Sequence, residues 1–195
     1  MSRNLVNSLA FFSPIIVSTG ILLFSIFSDT IIKGLFFLFW VLVVTFLRIV
    51  VLMSITSGPL LQPDICAAGN LFPYDNSTYS IYMLCFTAMY FIIPMIYMNN
   101  LNFGIMLFFI VYIIFDITIK MSYGCVINMF GLIGDIAVGL GLGAAVSAII
   151  LSTPIKKYLY INEVNKNKEV CSKPSKQTFK CNVYKNGELI SSSIR

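Results

Sequence analysis

From Cys125 to Leu151 the chain reads CVINMFGLIGDIAVGLGLGAAVSAIIL, an apolar run interrupted by a single carboxylate, Asp135. As a helix at about 1.5 Å per residue this run reaches roughly 40 Å, more than the ~30 Å hydrocarbon core of a bilayer, and so predicts a tilted membrane span. Gly134, Gly139, Gly141 and Gly143 would each cost a soluble helix about 1 kcal/mol relative to alanine, whereas in a membrane bundle they let neighbouring backbones approach. Asp135 is the anomaly. A carboxylate at depth is costly unless it faces a partner or water, which makes it a candidate functional residue; a side chain near the helix start that reaches interfacial water is the plainer reading.

The rest of the chain has the same character: 58% of residues are hydrophobic and 11% charged, against about a quarter charged in soluble domains. This composition predicts an all-α, polytopic transmembrane bundle, and 195 residues leave no room for a large soluble catalytic module. Five spans are expected, at about 5–27, 31–53, 79–98, 101–119 and 125–151, with a sixth or re-entrant segment as the alternative. The membrane domain would occupy 1–155 and a basic tail 156–195. Pro14 predicts a kink in the first span, and Ser28-Asp29-Thr30 offers a cap to the second. Arg48, near the end of the second span, reads equally as a snorkelling anchor or an anion ligand. Asp116 and Lys120 stand four residues apart in the fourth, a spacing that predicts a pair on one helix face.

The net charge of +5 is concentrated after the last span, where Lys156, Lys157, Lys166, Lys168, Lys173, Lys176, Lys180, Lys185 and Arg195 face three glutamates. Positive loops favour the cytoplasm, so the tail is expected there and the 54–78 loop, which lacks Lys and Arg, on the opposite side. The amino terminus, with Arg3, would then share the loop's side. The Lys-rich 162–176 stretch reads first as a solvated linker and second as a contact for anionic headgroups or an acidic protein; nucleic acid is not an expected partner. Thr178 to Tyr184 alternates, Asn186-Gly187 signals a turn, and Glu188 to Ile194 can return as a second strand of a β-hairpin.

Cys66 and Cys125 both fall near the outer face and can bridge in an oxidising compartment, whereas Cys85 reads as a small packed hydrophobe. Cys171 and Cys181 are too few for zinc in a chain with no histidine. Asp75, Asp116 and Asp135 do not make a metal-ligand pattern, and no cofactor is expected. Asn76-Ser77-Thr78 matches a glycosylation signal but abuts the third span, where a helix cap is the better reading.

Three blocks carry a family resemblance. Arg48, Met53, Thr56 and Pro59 followed by Cys66 are similar to a region of sphingomyelin-synthase-type lipid phosphotransferases. Phe72-Pro73-Tyr74-Asp75-Asn76-Ser77-Thr78-Tyr79-Ser80 resembles the F-P-S-G-H-T-x-x-S block of the type 2 phosphatidic acid phosphatase superfamily, and Gly134-Asp135 through Gly143 its final helix. The resemblance covers roughly residues 40–152 and implies a helical membrane fold with a lipid-phosphate site on one membrane face.

The resemblance also implies what is missing. In that family one histidine attacks phosphate, an aspartate four residues later orients it, and a second histidine protonates the leaving oxygen. Here those places hold Gly131 and Asn76, around a retained Asp135. Glycine has no side chain and an amide moves no proton near neutrality, so neither performs the chemistry of imidazole. Asp75 would in addition repel phosphate. Arg48, Asn76 and Asp135 are thus expected as remnants of a site without its catalyst, with Asn128 or neighbouring backbone as the partner of Asp135. The expected function is non-enzymatic lipid binding or membrane scaffolding in an internal membrane of endoplasmic-reticulum, Golgi or viral type, with homo-oligomerisation open. An active lipid phosphatase or phosphotransferase with atypical residues, and a small transporter or channel built around Asp116 and Asp135, are the alternatives.

Overall fold

The computed structural model describes residues 8–55, 66, 78–99, 101–126, 128–160, 180–185 and 188–194. Among the described residues five long apolar helices follow one another: α1 (Ser13–Phe27), α2 (Ile31–Ile55), α3 (Tyr79–Tyr97), α4 (Phe103–Ser122) and α5 (Met129–Leu151), then a 3₁₀ turn over Pro154–Tyr158. Helices α2 to α5 are each long and apolar enough to cross a membrane. Large apolar side chains such as Phe46 (65% exposed), Leu107 (61%) and Phe130 (85%) cover the outside of the bundle, where only hydrocarbon can solvate them. The chain is an all-α, multi-pass integral membrane protein.

The expected span 5–27 is helical over its described residues, 8–27, except at one point. A turn at Phe12 separates helical residues 8–11 from α1, which at 15 residues is about 22 Å long. This interruption falls two residues before Pro14, where the expected kink lies. Pro14 occupies the first turn of α1, where a missing N–H and a fixed φ are tolerated.

Helix α3 is the hub: 72% of its apolar window is buried, against 17–28% for the other three spanning helices. Its closest partner is α5, and the reason lies in small residues. A Cβ at Gly139 would sit 2.5 Å from the Tyr82 carbonyl oxygen, and one at Gly143 would strike the Phe86 carbonyl. One turn further on, Ser147 Oγ donates to the Tyr90 carbonyl oxygen at 3.2 Å. Positions 139, 143 and 147 therefore face 82, 86 and 90 in the same order, so α3 and α5 run parallel, with α4 returning between them. Only two of the four glycines read as packing residues act in this way, because a Cβ at Gly134 or Gly141 would meet nothing within 4 Å.

An aromatic core fills the half of the bundle beyond this contact: Phe37, Phe86 and Tyr90 are buried, with Phe37 and Tyr90 rings 5.3 Å apart. Leu159 and Tyr160 pack into the same cluster, and Tyr160 hydrogen-bonds to Ser25 of α1. At the opposite end a Cys66–Cys125 disulfide lies against Phe11. The ends of the bundle are thus distinct, one carrying the disulfide and the starts of α1, α3 and α5, the other carrying the end of α5 and the 3₁₀ turn.

The chain divides into two compact units, residues 1–165 and 166–195. The second contains strands β1 (Lys180–Lys185) and β2 (Glu188–Ile194), paired antiparallel from Lys180↔Ile194 to Lys185↔Glu188 with an irregularity between Val183 and Tyr184. The hairpin expected from alternation is present; the Asn186-Gly187 turn lies outside the described residues.

Candidate functional site

Among the described residues, two ionic clusters lie toward the disulfide end. The first joins three segments far apart in sequence. Arg48 sits two turns before the end of α2, and its Nε donates to Asp135 Oδ1 at 3.2 Å while Nη2 donates to Oδ2 at 3.3 Å. This side-on fork is the geometry in which guanidinium and carboxylate match both partners at once. Thr78, the residue preceding α3, donates its hydroxyl to the same Oδ2. The guanidinium also lies 5.4 Å from the Tyr79 ring centroid and 5.3 Å from that of Tyr82, so aromatic faces enclose it.

The helices explain why this arrangement holds. Asp135 is in the second turn of α5 and beside the start of α3, where unpaired N–H groups and the helix dipoles favour negative charge. Tyr82 is itself fixed, its hydroxyl donating to the Val44 carbonyl oxygen at 2.9 Å, and the Tyr79 hydroxyl shares a 2.9 Å hydrogen bond with Thr45. The Arg48 side chain is 5% exposed and that of Asp135 15%. The Arg48 fork is thus engaged by a carboxylate of the same chain.

Of the three residues expected to mark a remnant site, Arg48 and Asp135 meet directly, whereas Asn76 lies outside the described residues, as do Asp75 and Ser77. Asn128 is not the partner of Asp135. Its Oδ1 instead accepts from Phe130 N at 3.0 Å and caps α5. The cap expected from Asn76-Ser77-Thr78 is also changed in one respect: Thr78 holds the N-cap position of α3 without a capping side-chain bond, because its hydroxyl goes to Asp135. Gly131, in the nucleophile's place, is exposed at the start of α5, with only the Asn128 Cβ within 4 Å of where its own Cβ would be.

The second cluster is local. Asp116 and Lys120 pair across one turn of α4 at 3.4 Å, as their spacing predicts, and both are buried. Ser80 of α3 completes it, donating to Asp116 Oδ2 at 2.5 Å and accepting from the Lys120 ammonium. Asp116 Oδ1 has no hydrogen-bond partner among the described residues. Cys85 is a buried free thiol, as expected of a packing residue.

Tyr82 was not singled out by pattern, and Thr78, Tyr79 and Ser80 entered only through the Asn76-Ser77-Thr78 signal and the resemblance block, without roles of their own. Their signal was available in retrospect: hydroxyls concentrated in the first turn of an otherwise apolar helix require polar partners in a membrane. No group of three or more potential metal ligands occurs among the described residues. No known family model, curated protein or solved structure matches this chain.

Proposed function

We propose that this chain is a non-catalytic membrane protein that binds or organises lipid, built on a frame resembling that of lipid phosphatases. The observation that carries the reading is the Arg48–Asp135 pair. In the lipid phosphatases it resembles, basic residues hold the substrate phosphate; here the Arg48 fork is taken by Asp135, which Thr78 steadies from the other side. An incoming phosphate would have to displace a tethered carboxylate and accept its repulsion. No imidazole exists in the chain to attack or protonate it.

Sidedness supports the same picture. The Cys66–Cys125 bridge belongs to an oxidising compartment, and α5 leads from that end of the bundle to the other, after which the Lys-rich tail begins. This agrees with the cytoplasmic tail that the positive-inside rule favours, where it would meet anionic headgroups or an acidic partner. Asp116 and Asp135 are both held in ion pairs, which favours a structural role over a conduction path.

The test is turnover. Full-length protein in phospholipid nanodiscs is expected to release no phosphate from phosphatidic acid above a mock preparation. Release that disappears in Asp135→Asn would overturn the reading in favour of an enzyme with an unusual nucleophile.

A further inference from the structure

Residues 166–195 form a compact unit of their own, and its side chains carry the net charge of the chain. Seven of the 13 lysines and arginines lie there against two of the eight acids, which gives this unit +5, while residues 1–165 are balanced, six against six. Its sheet has two strands, and among the described residues no third strand pairs with either. A hairpin of two strands is marginal in water and gains independent stability from a third. The outer edges of β1 and β2 each present backbone N–H and C=O groups to whatever extended chain can take them.

The two edges are unequal. Pairing runs from Lys180↔Ile194 to Val183↔Ser191 and resumes at Tyr184↔Leu189, so Ile190 has no partner on β1 and β2 is the bulged strand. A bulge bends its strand and disrupts the ladder locally, one of the devices by which natural sheets close an edge. Strand β1 keeps one residue for each position and contains no proline, so it is the edge that can template a further strand. Lys180 and Lys185 stand at its two ends. A second copy would bring its own +5 against this edge and is repelled, whereas an acidic chain is attracted. An anionic bilayer also meets the charge, but its phosphates only accept hydrogen bonds and leave the carbonyls of the edge to water. Another backbone supplies donors and acceptors together.

We propose that β1 is a docking edge for an acidic extended segment of another protein, which adds to the hairpin as a third strand. The backbone ladder supplies the binding, and the lysines supply the choice of partner. This sharpens the acidic partner named for the tail above and rests on that reading, but it does not depend on what the bundle binds.

The probe is a fluorescent peptide in which glutamate alternates with threonine and valine, titrated against the full chain in phosphatidylcholine nanodiscs, whose headgroups carry no net charge. Anisotropy is expected to show saturable binding, and amide hydrogen exchange read by mass spectrometry to slow in fragments covering 180–185. The same peptide with alternate amides N-methylated keeps its charge but loses its ladder, and should bind about tenfold more weakly, the worth of one or two hydrogen bonds. In the double variant Lys180→Glu/Lys185→Glu, the acidic peptide should weaken by a similar factor while a peptide with lysine in place of glutamate gains. Unchanged exchange over 188–194 before peptide is added reports that the variant keeps its hairpin. Equal binding of the N-methylated peptide, no binding of the acidic one, or slowing confined to 188–194 would each overturn the proposal. So would slowing at 180–185 that appears only when phosphatidylserine is added to the nanodiscs, which would make a membrane surface the partner. Phosphate release from phosphatidic acid would instead remove the non-catalytic reading of the bundle and leave this result standing.

Discussion

The two ionic clusters lie toward the same end of the bundle and use the same chemistry, a carboxylate shared between a cation and a hydroxyl, yet they are assembled in opposite ways. Asp116 and Lys120 lie one turn apart on α4, so the helix itself fixes their separation, and Ser80 only closes the group. Arg48, Thr78 and Asp135 come from three segments, and no single helix fixes their distances; the close packing of α5 on α3 through Gly139 and Gly143 sets Asp135 beside Thr78, and the Tyr82–Val44 and Tyr79–Thr45 hydrogen bonds set α2 against α3. A local pair is buried almost completely and serves the interior. The pair that spans helices keeps Asp135 15% exposed.

Lys120→Met tests the first half of that contrast most severely. It leaves the Asp116 carboxylate buried without a counter-charge and is expected to cost about 3–5 kcal/mol. Thermal unfolding in detergent should show most of the loss recovered in Lys120→Met/Asp116→Leu; a single variant as stable as the parent would break the idea that the pair is internal scaffolding.

Gly139→Leu separates the two clusters. It must push α5 from α3 at the Tyr82 carbonyl and is expected to destabilise by about 1–3 kcal/mol, the usual range for overpacking. Because the shift moves Asp135 but not the one-turn spacing on α4, an Arg48→Cys/Asp135→Cys crosslink should weaken in its presence. An Asp116→Cys/Lys120→Cys control should not change. Equal loss in both would show that the clusters are not independent.

Thr78→Val is the finest probe. Removing one hydroxyl from a charged acceptor is expected to cost about 1.5–3 kcal/mol in a dry site, and nearer the lower figure here because Asp135 keeps some exposure. Ser80→Ala, in the fully enclosed cluster, should cost more than Thr78→Val on the same thermal-unfolding scale. The reverse order would contradict the assignment of the more rigid environment to α4.

The same contrast explains what could be read from residues alone. Apolar runs of membrane length report helices directly, and i, i+4 spacing placed Asp116 beside Lys120, because both depend only on the rise of one helix. The Cys66–Cys125 bridge was legible as two thiols at one face, although nothing in spacing alone dictates that they join. Arg48 and Asp135 were each visible as charges in apolar runs, but their meeting depends on how α2 and α5 are set around α3. The guess that paired Asp135 with Asn128 failed for this reason: it favoured a neighbour in sequence, while Asn128 was already required to cap α5. Among the glycines, composition could not tell the two that touch α3 from Gly134 and Gly141, because that depends on which side of α5 the hub occupies.

The claim on which the account turns is that Asp135 occupies the place on Arg48 that a lipid phosphate would otherwise take. Phosphatidic acid titrated against the full chain in phosphatidylcholine nanodiscs, followed through the guanidinium Nε signal of Arg48, tests it directly. The account predicts no displacement of that signal in the wild type and a saturable displacement in Asp135→Asn, where the fork is released. A wild-type signal that moves with phosphatidic acid, and an Asp135→Asn signal that does not, would contradict it.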